Sequence, residues 1–293
     1  MTPSTPRLSG QETVTPRPRR RRPLGLPSLI ALGVLSLLFL LPFWLLLRNA
    51  FMTDAQIVSQ EFSWLPSPWH PENVSELLRD PNVNILLGLR NSTIVSVTQT
   101  VVSILIASAA GYGLARIPSA ARGFVLGLVL LTMTVPVVTL FIPQYVIVAK
   151  LGWINTYQGL IIPGLFSAFN TFMFRQFYLD FPKELEEAGR VDGLGWWGTY
   201  WYLALPNSRG MIAALGLLTF ISSWNQFLWP LLIGQSAERW TVQVGISSLL
   251  TSQTVNLHLV FLASLIAILP LLLMFLLGQR WIVEGVKMSG SKG

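Results

Sequence analysis

Long uncharged runs, separated by short charged punctuation, dominate the chain. They span Leu26 to Leu47, the residues between Arg90 and Arg116, Gly123 to about Pro143, the residues between Lys150 and Arg175, Gly210 to Ile233, and Leu257 to Gly278. A helix rises about 1.5 Å per residue, so about 20 apolar residues cross a hydrocarbon core about 30 Å thick. All six runs are long enough. The pattern predicts an all-α integral membrane fold of six transmembrane helices. Pro136 in the third run and Pro163-Gly164 near the middle of the fourth predict kinks. Such breaks survive in a bilayer where neighbouring helices or a wet cavity take up the freed backbone carbonyls. The uncharged stretch from Trp240 to the sixth run reads as an outer loop.

Composition agrees with that pattern. Hydrophobic residues make up 52% of the 293-residue chain and charged residues 11%, too few charges to cover a soluble domain of this size. The net charge of +7 is carried by a tail and short loops, which suits membrane orientation better than nucleic-acid binding. With the N-terminus in the cytoplasm, 15 of the 20 lysines and arginines lie inside, and Arg48, Arg79, Arg90, Lys150 and Arg239 outside. Cytoplasmic loops hold that excess, so both termini are predicted cytoplasmic. Trp44, Trp153, Trp229, Trp240 and Trp281 then fall near predicted membrane boundaries, as an interfacial aromatic belt requires.

The resulting plan has a basic, disordered cytoplasmic leader over 1–25, a first helix over 26–47, an outer loop over 48–90, a five-helix core over 91–282 and a cytoplasmic tail over 283–293. The apolar run after the leader is longer than a signal-peptide core and no small-residue cleavage pattern follows it. Cysteine is absent, which excludes disulfides and thiolate metal sites.

The loop from Arg175 to Arg209 holds five of the 13 acidic residues: Asp180, Glu184, Glu186, Glu187 and Asp192. Pro182 suits a first helical turn, and Asp180 and Glu184 complement the positive end of a short helix through Glu187-Ala188. Asp192-Gly193 reads as a turn. Beyond it Trp197, Tyr200, Trp201 and Ala204 recur at helical spacing, an aromatic face suited to the inner interface, before Leu205-Pro206 ends the element.

The order Glu187-Ala188-Gly189, three residues, Gly193, nine residues, Leu203-Ala204-Leu205-Pro206 resembles the EAA loop of ABC importer permeases. Asn91-Ser92, Leu151-Gly152-Trp153-Ile154-Asn155-Thr156, Trp224-Asn225-Gln226-Phe227-Leu228-Trp229-Pro230 and Gln279-Arg280-Trp281-Ile282-Val283-Glu284-Gly285 are similar to the carbohydrate branch, with its maltose and glycerol-phosphate permeases. The resemblance covers about Arg48 to Gly293. It implies a type I importer permease whose loop forms a coupling helix docked on an ATP-binding subunit, with Glu184, Glu187, Ala188, Gly189, Asp192, Gly193, Leu205 and Pro206 as the coupling residues. Gly189 stands where the family usually has a second alanine. The implied partners are a second homologous permease, two ATP-binding subunits carrying ATP and Mg, an extracytoplasmic solute-binding protein and a sugar-like solute.

Other polar residues read two ways. Ser92, Ser96, Gln99, Ser103 and Ala107 repeat along the second helix, a stripe that suits helix packing or a solute path. Asn170, Asn225 and Gln226 are the bulkiest uncharged polar groups of helices four and five, able to line a path or to bond between helices. His70 and His258 have no ligand cluster in sequence, which argues against a metal. No phosphate-binding Gly-rich loop and no nucleophile-base set is present, so the chain reads as a non-enzymatic translocation subunit working by alternating access. The competing readings are an ABC permease for a non-sugar solute, a secondary carrier, which the lack of charged residues in the six cores disfavours, and a membrane scaffold.

Overall fold

The computed structural model describes residues 25–80, 83–251 and 255–290. The basic leader up to Leu24 and the side chains of Arg280 and Trp281 lie outside the described residues. Every regular element among those described is helical. Residues before Leu45 form one compact unit and those from Leu45 onward a second. The first holds most of helix α1 (Leu26–Ala50), apolar around its whole circumference.

The second unit opens with two short helices, α2 (Asp54–Ile57) and α3 (Glu72–Arg79). A reciprocal capping box starts α2: the Gln56 N–H donates to Thr53 Oγ1 at 3.3 Å, and the Thr53 N–H donates to Gln56 Oε1 at 2.8 Å. The long helix α4 (Ile85–Arg116) follows, capped by Asn84. It starts before the predicted uncharged run and takes Arg90 into its first two turns.

The third predicted span is two helices: α5 (Arg122–Thr134), and α6 (Phe141–Lys150) after a 3-10 turn, bent 99° across the break at Pro136. The fourth is shorter still: α7 (Tyr157–Ile161), a 3-10 turn over Ile162–Gly164, and α8 (Ala168–Leu179). Then come α9 (Lys183–Val191), α10 (Trp196–Thr199), a π-turn over Tyr200–Ala204 and α11 (Leu205–Asn207). Helix α12 (Arg209–Trp224) is bent 75° from the segment before it. The fifth predicted span breaks at Asn225 and resumes as α13 (Leu228–Ile233). Last are α14 (Val242–Thr251) and α15 (Leu257–Gly290), whose backbone stays helical into the predicted tail as far as Gly290.

Among the described residues three helices are long and apolar enough to cross a membrane unaided, α1, α4 and α15 up to Gln279, and two bent pairs qualify if each is one span. Proline and polar residues divide three of the six apolar runs into shorter helices.

Helix α4 is the centre, packed against α8, α12 and α14. Gly111 lets it approach α8 closely, since a Cβ there would stand 2.6 Å from Phe174 Cβ and 2.8 Å from the Arg175 backbone nitrogen. The stripe of Ser92, Ser96, Gln99, Ser103 and Ala107 is fully buried, as packing requires. Its polar members also repair breaks. Pro163 has no N–H to offer the Gly159 carbonyl, and Trp229 Nε1 donates to that carbonyl instead, at 3.0 Å. Gln99 Nε2 donates to the carbonyls of Leu160 (3.0 Å) and Ile161 (3.2 Å), while Gln99 Oε1 accepts from Ser223 Oγ at 2.6 Å. Trp229 is buried in this position.

Polar side chains at the Asn91 end of α4 hold the segment before α14. Asn91 Nδ2 donates to the carbonyls of Glu238 and Trp240, both at 2.9 Å, and the Val242 N–H donates to Ser92 Oγ at 2.8 Å. His258, isolated in sequence, lies between Asp54 Oδ1 (2.7 Å) and Glu76 Oε2 (3.3 Å). No group suited to a metal ion occurs among the described residues.

Candidate functional site

The segment from Lys183 to Asn207 forms a hairpin of two short helical arms. Helix α9 carries Glu184 and Glu186 in its first turn and Arg190 in its last, matching the helix dipole at both ends. Its termination is a Schellman motif: the Leu194 N–H donates to the Gly189 carbonyl at 2.8 Å and the Gly193 N–H to the Arg190 carbonyl at 3.0 Å. Gly193 has φ +85°, a left-handed conformation that costs any residue with a Cβ. The turn read at Asp192-Gly193 is thus the C-cap of α9.

Helix α9 has two faces. Glu184, Glu187, Ala188 and Asp192 are exposed, together with Leu185 and Val191, the last at 88%. This face thus combines an acidic rim with two exposed aliphatic side chains. The opposite face carries Glu186 and Gly189, both buried. Gly189 faces the second arm: a Cβ there would stand 2.8 Å from Leu203 Cδ1, so a leucine methyl fills the space where the family's usual alanine would put its own.

Glu186 is the residue the sequence did not single out, since nothing local distinguishes it from Glu184 or Glu187. Its Oε1 lies 3.4 Å from Arg116 Nε at the end of α4. Arg116 also donates from Nε to the Tyr178 carbonyl at 2.7 Å and from a terminal nitrogen to the Phe181 carbonyl, so one guanidinium fastens α4 to the end of α8 and to α9. Burial pushes the Glu186 carboxyl above its ordinary value, with Arg116, then Arg190 and Lys183, pulling it back.

A buried hydroxyl chain lies behind the second arm. Ser208 Oγ donates to the Leu205 carbonyl at 2.8 Å, so the 3.2 Å contact to Tyr178 requires the tyrosine to donate. Ser108 then donates to Tyr178 at 2.7 Å, and Tyr200 to Ser108 at 3.2 Å. One proton per hydroxyl satisfies the whole chain in a single direction, and it joins α4, α8, the π-turn and the start of α12. Leu205 and Pro206 are half-buried on this arm, not on the exposed face of α9. Tyr200 and Ala204 are buried while Trp197 and Trp201 are exposed at 66% and 51%. The expected single aromatic face is therefore split, because the π-turn shifts the register.

Of the three path candidates, Asn170 and Gln226 border one cleft with Gln99 and Ser103. Asn225 does not; it is exposed, donates to the Ile221 carbonyl at 2.9 Å and accepts from Gln243.

The chain is 33% identical over 270 residues to a lactose transport system permease protein of Rhizobium radiobacter, covering 91% of this chain and 96% of that one. It is 34% identical over 203 residues to an arabinooligosaccharides transport system permease protein of Halalkalibacterium halodurans, covering 69% and 73%. An sn-glycerol-3-phosphate transport system permease protein of Yersinia enterocolitica is 32% identical over 264 residues, covering 88% and 93%. Among solved structures, a bacterial ABC transporter involved in the import of the acidic polysaccharide alginate superposes with a TM-score of 0.77 at 20% identity, over 88% of this chain and 95% of that one. That likeness shows a shared fold. Residues 82–288 match the family model described as the binding-protein-dependent transport system inner membrane component, and the chain belongs to that family, as a multi-pass component of the inner membrane.

Proposed function

We propose that the chain is the translocation subunit of an ATP-driven, binding-protein-dependent importer of a sugar or sugar-like solute. The observation that carries this reading is the exposed acidic and aliphatic face of α9, closed by a left-handed glycine and fastened from behind by Arg116. A helix presented outward and held rigidly inward is suited to receive a partner's motion. Glu184, Glu187, Ala188 and Asp192 form the docking face, Gly189 and Gly193 shape the hairpin, and Leu205 and Pro206 carry the motion into the bend before α12. Relatives named for lactose, arabinooligosaccharides and sn-glycerol-3-phosphate support a sugar-like cargo.

In this reading the chain crosses the membrane six times, with broken spans, and both termini are cytoplasmic. Two ATP-binding subunits hold ATP and Mg; this chain catalyses nothing. A second homologous permease completes the path, and an extracytoplasmic binding protein meets the segments 49–88 and 235–256. Closure of the ATP-binding pair tilts the helices through the hairpin. Moving a two-state gate from 1:99 to 99:1 takes about 5.5 kcal/mol of differential binding, within reach of a packed docking contact.

The test is purification of the chain with its ATP-binding subunits and reconstitution with binding protein and lactose, arabinooligosaccharide or glycerol 3-phosphate. ATP hydrolysis stimulated by loaded binding protein, with solute uptake, is expected. Uptake driven by an ion gradient without the ATP-binding subunits would overturn the reading.

A further inference from the structure

Between α2 and α3, the segment from Val58 to Trp69 has Glu61 as its only charged residue. Val58, Phe62, Trp64, Leu65 and Trp69 are all more than half exposed. A cluster of large apolar side chains turned outward marks a contact with protein or with membrane. No helix forms along this segment, so side-chain contacts hold it.

Those contacts lead to the end of α1. Gln56 Nε2 donates to the Ser67 carbonyl at 2.7 Å, the His70 N–H donates to the Phe51 carbonyl at 3.1 Å, and Trp69 stacks on Phe51 with ring centroids 4.5 Å apart. Arg48, in the last turn of α1, is buried beneath the segment. Its guanidinium lies 4.7 Å from the centre of the Phe62 ring and donates to Ser63 Oγ at 3.4 Å and to Asn49 Oδ1 at 3.0 Å. Phe62 meets Trp64 edge to face, with centroids 5.1 Å apart. The aromatic rings are thus fixed at the level of Arg48.

That level selects the partner. Arg48 is the first charged residue after the apolar run from Leu26, and α1, with 25 residues, is about 37 Å long against a hydrocarbon core about 30 Å thick. An end that overshoots the core lies in the headgroup layer. Tryptophan is enriched there because its ring is apolar while its single N–H can meet water or a headgroup. Glu72 and Glu76, which suit water or a polar protein, stand on α3 instead.

We infer that Phe62, Trp64 and Leu65 insert among the headgroups of the outer leaflet and anchor the end of α1 there, so that the partner of this patch is the lipid surface. The inference rests on the reading in which α1 crosses the membrane with its C-terminal end outside. It divides the outer segment 49–88: the aromatic loop faces lipid, and α3 is left for the extracytoplasmic binding protein.

The natural chain has no cysteine, so Trp64→Cys, Leu65→Cys and Ser75→Cys each carry one nitroxide label at an exposed position. The intact complex, its other subunits free of cysteine, is placed in vesicles of phosphatidylethanolamine and phosphatidylglycerol. Electron paramagnetic resonance then reads collisions of each label with oxygen, which concentrates in lipid, and with a water-soluble nickel chelate. The oxygen-to-nickel ratio at Trp64→Cys and Leu65→Cys is expected to stand several-fold above that at Ser75→Cys, with or without binding protein. Ratios no higher than at Ser75→Cys would overturn the anchor. Ratios that rise only when binding protein is added would overturn it too, and assign the patch to that protein. In spheroplasts, a membrane-impermeant maleimide is expected to label Ser75→Cys from outside. Labelling only after lysis would sink the orientation of α1 and the importer topology with it, whereas low ratios with Ser75→Cys labelled from outside remove the anchor alone.

Discussion

Arg116 Nε stands 3.4 Å from Glu186 Oε1, and both side chains are less than a tenth exposed. The carboxyl is nevertheless pushed above its ordinary value of 4.5, because burial outweighs its neighbouring cations. The folded chain then holds this proton more tightly than the unfolded one. The stability this group contributes is whole below about pH 4.5 and is lost as pH rises through the folded value. Glu186→Gln removes the titration. Its thermal midpoint, measured against the native chain, should rise with pH from that point towards neutrality. A difference that stays flat or shrinks would show that the attraction of Arg116 dominates.

Removing the other partner has the opposite effect. Arg116→Ala strands Glu186 as a buried charge and deprives the Tyr178 and Phe181 carbonyls of their donor. Breaking one side of a buried pair costs about 3–5 kcal/mol. Thermal unfolding in detergent should show that loss, and a double-mutant cycle with Glu186→Gln should show strong coupling. Additive effects would mean that the two residues act independently.

Gly193→Ala should cost about 1 kcal/mol at the α9 C-cap, with φ at +85°. Its effect on uptake per ATP hydrolysed should exceed its effect on basal hydrolysis, because the hairpin angle changes while the ATP-binding subunits do not. Gly189→Ala is milder, since the crowding atom is the far end of the Leu203 side chain. Equal losses of hydrolysis and uptake in Gly193→Ala would point to failed assembly rather than failed coupling.

The sequence made α9 and its turn legible because their determinants are local: a proline start, acidic first turn and Asp-Gly stop within twelve residues. The exposed face could be named, but Glu186 could not be separated from its neighbours, because Arg116 is 70 positions earlier. Hydropathy likewise located apolar segments but counted Pro136 and Pro163 as kinks. Whether a proline bends or divides a span depends on who receives the freed carbonyls, and those donors, Trp229 and Gln99, are remote. Asn225 illustrates the same limit: its polarity marks a hydrogen-bonding residue, but that its amide meets the Ile221 carbonyl and the remote Gln243 is visible only in the fold.

Gln99 offers the sharpest test of how such breaks are held. Its amide nitrogen serves two carbonyls of α7 and its oxygen one serine of α12, so chemistry can be separated from size. Gln99→Met keeps the volume and loses all three bonds. Gln99→Glu keeps the shape and the Ser223 bond but, when ionised, turns an acceptor towards the carbonyls of Leu160 and Ile161. Each buried group left unpaired costs about 1–3 kcal/mol, and the charged variant adds repulsion to that. The expected order of thermal midpoints is therefore native, then Gln99→Met, then Gln99→Glu, with uptake following the same order. The low rank of Gln99→Glu should lift as the pH falls and its carboxyl gains a proton to donate. If Gln99→Glu matches the native chain at neutral pH, the Pro163 break is held by packing and Trp229 alone.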